Sequence, residues 1–65
     1  MKTVVVSFNG INGNAFSLLG RWQEAARSQG LAADEIDQVI QEATSGDYGH
    51  LLRTLLRRST EPAAQ

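Results

Sequence analysis

A short loop rich in asparagine and glycine is the part of this sequence whose residue types could do chemistry. It occupies residues 9–14 and reads Asn-Gly-Ile-Asn-Gly-Asn. Asn and Gly tolerate positive φ angles and favour helix starts, so such a loop can turn several backbone N–H groups toward one point. At the positive end of a helix dipole these donors suit a phosphate or a carboxylate. We therefore predict an anion-binding site at Asn12, Gly13 and Asn14.

Four further side chains could complete this site, and each also has an ordinary structural explanation. Ser17 and Arg21 follow in the next helix and could offer a hydroxyl and a guanidinium to a bound phosphate. Tyr48 and His50 could stack on a planar ligand or hydrogen-bond to it. The alternative is that the loop is only a tight connection, Tyr48 is structural and His50 is solvated. The glycines match neither the P-loop pattern nor the dinucleotide-binding pattern.

The residue types predict binding rather than catalysis. A Ser-His-Asp set could be assembled only nominally, from Ser45 or Ser59 with His50 and Asp47, and no nucleophile elbow accompanies it. The chain has no cysteine and a single histidine, which excludes a zinc cluster of the usual Cys/His type. We expect no enzymatic activity, no metal and no cofactor.

Hydrophobic periodicity divides the chain into one strand and three helices. Residues 2–8 alternate, with Val4, Val6 and Phe8 on one face, which predicts a strand. Apolar residues then recur at three- and four-residue spacing, which predicts amphipathic helices. These helices are expected over residues 15–29, 33–44 and 48–58.

Polar residues and glycines mark where these elements begin and end. Asn14 and Asp47 are predicted as N-caps, and Gly30 is the predicted stop of the first helix. The folded domain is expected over residues 1–59, followed by a flexible tail over residues 60–65. The expected core is the apolar face of the helices: Leu18, Leu19, Trp22, Ile36, Val39, Ile40, Leu51, Leu52 and Leu55.

The predicted fold class is α+β, with one N-terminal strand followed by three short helices. A lone strand leaves its backbone donors and acceptors unpaired. A chain of 65 residues also buries only about 60% of its unfolded surface. We therefore predict a homo-oligomer, a dimer or a multiple of one, whose strands pair between copies. Phe16 lies off the apolar stripe of its helix, and either covers the strand or is exposed at such an interface.

Charge and hydropathy limit the classes of partner and compartment. The formal net charge of −1 makes DNA an unexpected partner, because nucleic-acid binding depends on basic surface. An anionic small molecule or another protein is expected instead. The basic residues Arg53, Arg57 and Arg58 either compensate the dipole of the third helix or contact phosphate or an acidic partner. No apolar run is long enough to span a bilayer, so no membrane partner is expected and the cytoplasm is the predicted compartment.

Several short sequence motifs resemble those of small proteins encoded by tailed phages and prophages. They are Gly-Asn-Ala-Phe at residues 13–16, and Ser-Gly-Asp-Tyr at residues 45–48 followed by His-Leu-Leu at residues 50–52. The resemblance implies a phage context and the cytoplasm of a host cell. In that context, very small non-enzymatic proteins commonly inhibit host defence. We predict a counter-defence protein that sequesters an anionic, nucleotide-like signal, with direct blocking of a host protein as the alternative.

The order of the predicted elements is also similar to that of ribbon-helix-helix repressors, which dimerise through strands placed in the major groove of DNA. The similarity covers a strand, a helix, Gly30-Leu31 and a second helix. The chain departs from that pattern in its longer loop, its added third helix, and Ala32 and Ala33 at the position of the usual Ser or Thr. Its second helix also begins with acids, which repel DNA. A DNA-binding regulator is the second alternative.

Overall fold

The computed structural model describes residues 3–60, which form three helices and two short strands. The predicted α+β class and its three helices are confirmed, and each helix ends one residue earlier than predicted. In chain order the elements are β1 (Val4–Val5), α1 (Ala15–Ser28), α2 (Ala33–Ala43), α3 (Tyr48–Arg57) and β2 (Ser59–Thr60).

Side-chain caps fix where the helices begin. The Asn14 carboxamide oxygen accepts the Ser17 N–H at 2.9 Å, and an Asp47 carboxylate oxygen accepts the His50 N–H at 2.9 Å. Both predicted N-caps are therefore confirmed. The N-cap of α2 is Ala32, which has no side-chain acceptor. The Glu35 carboxylate accepts the Ala32 backbone N–H at 3.1 Å.

The strand β1 has a partner within its own chain. It pairs in parallel with β2, and the register places Val4 opposite Ser59 and Val5 opposite Thr60. The predicted tail therefore begins one residue too early, because Thr60 belongs to the sheet. The remainder of that tail, residues 61–65, lies outside the described residues.

This pairing changes the argument for a second copy. The Val4 N–H donates to the Arg58 oxygen at 2.8 Å, and the Val6 N–H donates to the Thr60 oxygen at 3.0 Å. One edge of β1 is thus satisfied without another molecule, so the premise of a lone strand is wrong. An intrachain parallel pair also differs from the intermolecular ribbon of the repressors named above.

Side chains from β1 and the three helices form one core around Trp22. Trp22 is fully buried, and its Nε1–H donates to the Arg58 oxygen at 3.3 Å, the same oxygen that accepts from Val4. Predicted core residues Leu19, Ile40 and Leu52 are only half-buried. The buried apolar residues are Val4, Val6, Leu18, Trp22, Ala26, Ile36, Val39, Ala43, Leu51 and Leu55.

Candidate functional site

The Asn/Gly loop connects β1 to α1 and is held by its own side chains. The Asn12 carboxamide oxygen accepts the Asn14 N–H at 2.9 Å, while the Asn14 side chain caps α1. Among the described glycines only Gly10 and Gly30 have positive φ, at 77° and 88°. Gly13 has no such angle, so within this loop Gly10 alone adopts the left-handed conformation. The side chains of Asn12 and Asn14 thus accept hydrogen bonds from backbone N–H groups of the loop and of α1.

Tyr48 lies at the loop, as its place in the predicted site requires. Its hydroxyl donates to the backbone oxygen of Gly13, which ties the first turn of α3 to the start of α1. Tyr48 is 47% exposed, so part of this residue is open to solvent. The structure therefore brings together Asn12, Gly13, Asn14 and Tyr48.

Ser17 and Arg21 lie on α1 and line an open groove along its outer surface. The backbone N–H of Ser17 is used by the Asn14 cap. One arm of the Arg21 guanidinium donates to the backbone oxygen of Ser7 at 3.1 Å. Arg21 therefore has a structural contact on its β1 side as well as an exposed position at the groove.

His50 contacts the end of α2 instead of the loop. Its Nε2 atom lies 2.8 Å from the backbone oxygen of Glu42 and 3.0 Å from a carboxylate oxygen of that residue. Ser45 Oγ is 3.4 Å from the same nitrogen and donates to the Glu42 oxygen at 2.7 Å. Asp47 accepts from the His50 backbone, not from its ring. A triad needs the acid and the serine at opposite nitrogens of the imidazole, whereas Glu42 and Ser45 both contact Nε2 here.

The most exposed large apolar side chain in the described residues is Phe16. It is 87% exposed, although it lies within a regular helix next to the core residue Leu18. It borders the groove on α1, which has a volume of about 570 Å³. Side chains and backbone that line this groove include Ile11, Phe16, Gly20, Arg21, Glu24 and Arg27.

Gly20 lines the same groove one helical turn after Phe16, and its lack of a side chain leaves a hollow there. A Cβ atom built at Gly20 would meet no atom of the described residues within 4 Å. Packing inside the chain therefore does not require a glycine at this position, although glycine in a helix interior costs about 1 kcal/mol relative to alanine. The sequence indicated that Phe16 either covers the strand or is exposed, and the structure shows it exposed, but its combination with a hollow one turn later was missed. Its signal was the spacing of Phe16, Gly20 and Arg27, which places them on the face opposite the core stripe.

The groove carries more positive than negative charge. Arg21 and Arg27 line it together with one acid, Glu24. Within residues 3–60, no carboxylate lies within ion-pair distance of either arginine. The same residues contain no group of three or more His, Cys, Asp or Glu side chains placed to hold a metal. None of the described helices has the length and apolar character needed to cross a membrane.

The chain matches no protein-family model, and no similar curated protein or solved structure was found.

Proposed function

We propose that this protein is a non-enzymatic binding module that docks another protein in the α1 groove, with Phe16 as the anchor. The observation that carries the proposal is the 87% exposure of that phenyl ring on a well-formed helix. Burying a phenylalanine side chain contributes roughly 1.5–3 kcal/mol, and packing among residues 3–60 does not realise this gain. Aromatic anchors that fill pockets dominate the energetics of many protein interfaces.

The shape of the groove favours a helix as the docked element. A helix laid into a groove presents apolar side chains at three- and four-residue spacing. The hollow at Gly20 has room for one such side chain, which would contact the Phe16 ring. Small residues at a crossing point also let two helix backbones approach closely.

The charges of the groove favour an acidic partner. Arg21 and Arg27 face a partner with only Glu24 to offset them, so carboxylates on the docked helix would be attracted electrostatically. The partner chemistry that we propose is therefore an amphipathic helix with apolar anchors and flanking acidic residues. The resemblance to phage proteins favours a host-cell protein as its source and inhibition by direct blocking as the outcome.

A site-specific crosslinking experiment tests this proposal. The photoreactive amino acid p-benzoylphenylalanine replaces Phe16 in one variant and Leu56 in the control, because Leu56 is also exposed, at 60%, but lies on α3. We expect a discrete crosslinked protein from host cells only with the first variant. The host protein identified in this way, once purified, should bind wild type. With Phe16→Ala the binding should weaken by about 2–4 kcal/mol, the range of an interface anchor.

The control for that measurement is Leu56→Ala, which should leave the affinity unchanged. Circular dichroism should give the same folded signal for both alanine variants, since both replaced side chains are exposed. Equal losses of affinity for the two variants, or no loss for either, would contradict the proposal.

Sequestration of an anionic, nucleotide-like ligand is a second candidate, supported by the position of Ser17 and Arg21 in the groove beside the N-terminus of α1. Helix N-termini bind anions through free amides. If such a ligand binds, Arg21→Ala should weaken it by roughly 1.5–3 kcal/mol, the value of a hydrogen bond to a charged group. If a calorimetric screen of cyclic and ADP-ribose-type nucleotides gives no heat, protein docking remains the one proposed function.

Self-association through β1 is a separate prediction, because none of the groove residues belongs to that strand.

A further inference from the structure

The strand β1 has an outer edge opposite β2. The N–H groups of Val4 and Val6 point toward β2 and donate to its backbone. Backbone groups alternate in direction along a strand, so those of Thr3, Val5 and Ser7 point to the other side. The outer edge therefore carries a row of donors and acceptors that β2 cannot reach.

A single glutamine side chain occupies the centre of this outer edge. The Gln29 Oε1 atom accepts the Val5 N–H at 2.9 Å, and its Nε2–H donates to the Val5 oxygen at 2.7 Å. In an antiparallel sheet, a residue of the neighbouring strand makes these same two bonds to the residue opposite it. The carboxamide of Gln29 thus stands in for a strand.

A second side chain from the same helix covers the next position. Arg21 donates to the Ser7 oxygen at 3.1 Å. Arg21 is an exposed residue of α1, and Gln29 is the exposed C-cap of that helix. Holding each contact costs side-chain conformational entropy. The edge is therefore covered by two flexible side chains rather than by a strand, and each can leave without unfolding α1.

We propose that the outer edge of β1 is a masked pairing surface, and that the strand that displaces Gln29 and Arg21 is β1 of a second copy. An antiparallel arrangement about a two-fold axis at Val5 would place Val5 opposite Val5 of the other copy. Thr3 would then lie opposite Ser7. In that register all of these are hydrogen-bonded pairs.

The register explains why a second copy is the fitting occupant. Three of the backbone groups that it would use are those that Gln29 and Arg21 now hold, namely the Val5 N–H, the Val5 oxygen and the Ser7 oxygen. Val5 is 50% exposed and would gain a cross-strand contact with its symmetry mate. The mask opposes this pairing, so the wild-type dimer should be weak. This inference goes beyond docking in the α1 groove, and Arg21 is the one residue named in both.

The first test removes the mask. Sedimentation equilibrium compares wild type with Gln29→Ala and with the control Gln38→Ala, which removes another exposed glutamine, on α2. We expect the dimer of Gln29→Ala to be at least tenfold tighter than that of wild type, and Gln38→Ala to match wild type. Gln29→Glu keeps an acceptor for the Val5 N–H but cannot donate to the Val5 oxygen, so its dimer should be intermediate. If the glutamine variants at positions 29 and 38 associate equally, the proposal is overturned.

The second test locates the interface. Val5→Pro removes an N–H that points away from β2, so it should abolish the dimer of Gln29→Ala while circular dichroism reports a folded chain. Phe16→Ala in the same background should leave the dimer intact. A dimer that survives Val5→Pro, or that is lost with Phe16→Ala, would assign the association to another surface and overturn the proposal.

The third test reads the register directly. The chain contains no cysteine, so Val5→Cys introduces a unique thiol. Hydrogen-bonded antiparallel pairs have Cα atoms about 5.5 Å apart, a distance that a disulfide spans. Under mild oxidation, Val5→Cys with Gln29→Ala should form a covalent dimer at least tenfold faster than Leu56→Cys with Gln29→Ala. Equal rates would exclude the two-fold pair at Val5.

Discussion

The imidazole of His50 sits against the backbone of Gly46 and holds the end of α2. A Cβ atom at Gly46 would lie 2.9 Å from the His50 Cγ atom, closer than side chains normally approach. On its other side the ring reaches the Glu42 backbone oxygen at 2.8 Å. The position of the His50 ring therefore requires a glycine at residue 46, in the turn between α2 and α3.

We expect Gly46→Ala to destabilise the protein by roughly 1–3 kcal/mol, the usual cost of overpacking. His50→Ala should remove the obstruction, so Gly46→Ala should cost less in that background. Urea unfolding of the wild type, both single variants and the double variant measures the coupling between the two positions. Additive effects would contradict the steric explanation. Gly20→Ala is the matched control, and should stabilise by about 1 kcal/mol, because its new Cβ atom enters open space in a helix.

Trp22→Ala should unfold the chain or nearly do so. Removing a buried tryptophan side chain costs roughly 3–5 kcal/mol, a large share of the stability available to a domain this small. Trp22→Phe should cost less, because an aromatic ring remains, although the hydrogen bond to the Arg58 oxygen is lost. Thermal unfolding monitored by circular dichroism compares the two variants. A Trp22→Ala protein that melts cooperatively at the wild-type temperature would show that this residue is not the centre of the core.

Two glycines of the Asn/Gly loop should respond differently to alanine. Gly10 has a φ of 77°, so Gly10→Ala should cost about 1–2 kcal/mol, the penalty for a left-handed L-residue. Gly13→Ala should be nearly neutral, because its Cβ atom would make an ordinary contact with the Tyr48 hydroxyl at 3.7 Å. Chemical denaturation of both variants gives the comparison. The opposite order of stability would mean that the loop adopts a different backbone conformation.

Tyr48→Phe tests the tie between α3 and the loop. The variant keeps the ring and loses the hydroxyl that donates to the Gly13 oxygen. We expect a loss of about 0.5–1.5 kcal/mol, typical of one hydrogen bond. Amide hydrogen exchange at Asn14 should accelerate as the loop loosens, while exchange at Leu55 follows only the global change. Unchanged exchange at Asn14 would argue that the loop holds its conformation without this contact.

The helices could be predicted because the information that specifies them is local. The apolar stripe of α1 and the side chain of Asn14 are both contained within one short segment. The same is true of Asp47 at the start of α3. The grouping of Tyr48 with the loop was also anticipated, although the contact with Gly13 joins residues far apart in the chain.

The sheet and the groove depend on contacts that leave no local pattern. β2 consists of Ser59 and Thr60, two polar residues with no alternation to mark a strand. It forms because the end of α3 delivers it to the exposed groups of β1. The contact of Gln29 with Val5 is similarly invisible, since a side chain that pairs with a distant backbone has no periodicity. The contacts of His50 with the end of α2 were not predicted, because they depend on the conformation of the turn between α2 and α3, which has no local sequence pattern.

The parallel pairing of β1 with β2 sets the order in which the chain can complete its fold during synthesis. Among the described elements β1 is synthesised first, and its partner strand follows all three helices. Throughout that interval the buried valines Val4 and Val6 have no strand to pair with. Pairing β1 with β2 closes a loop that contains all three helices, and loop-closure entropy opposes the formation of such a long-range contact.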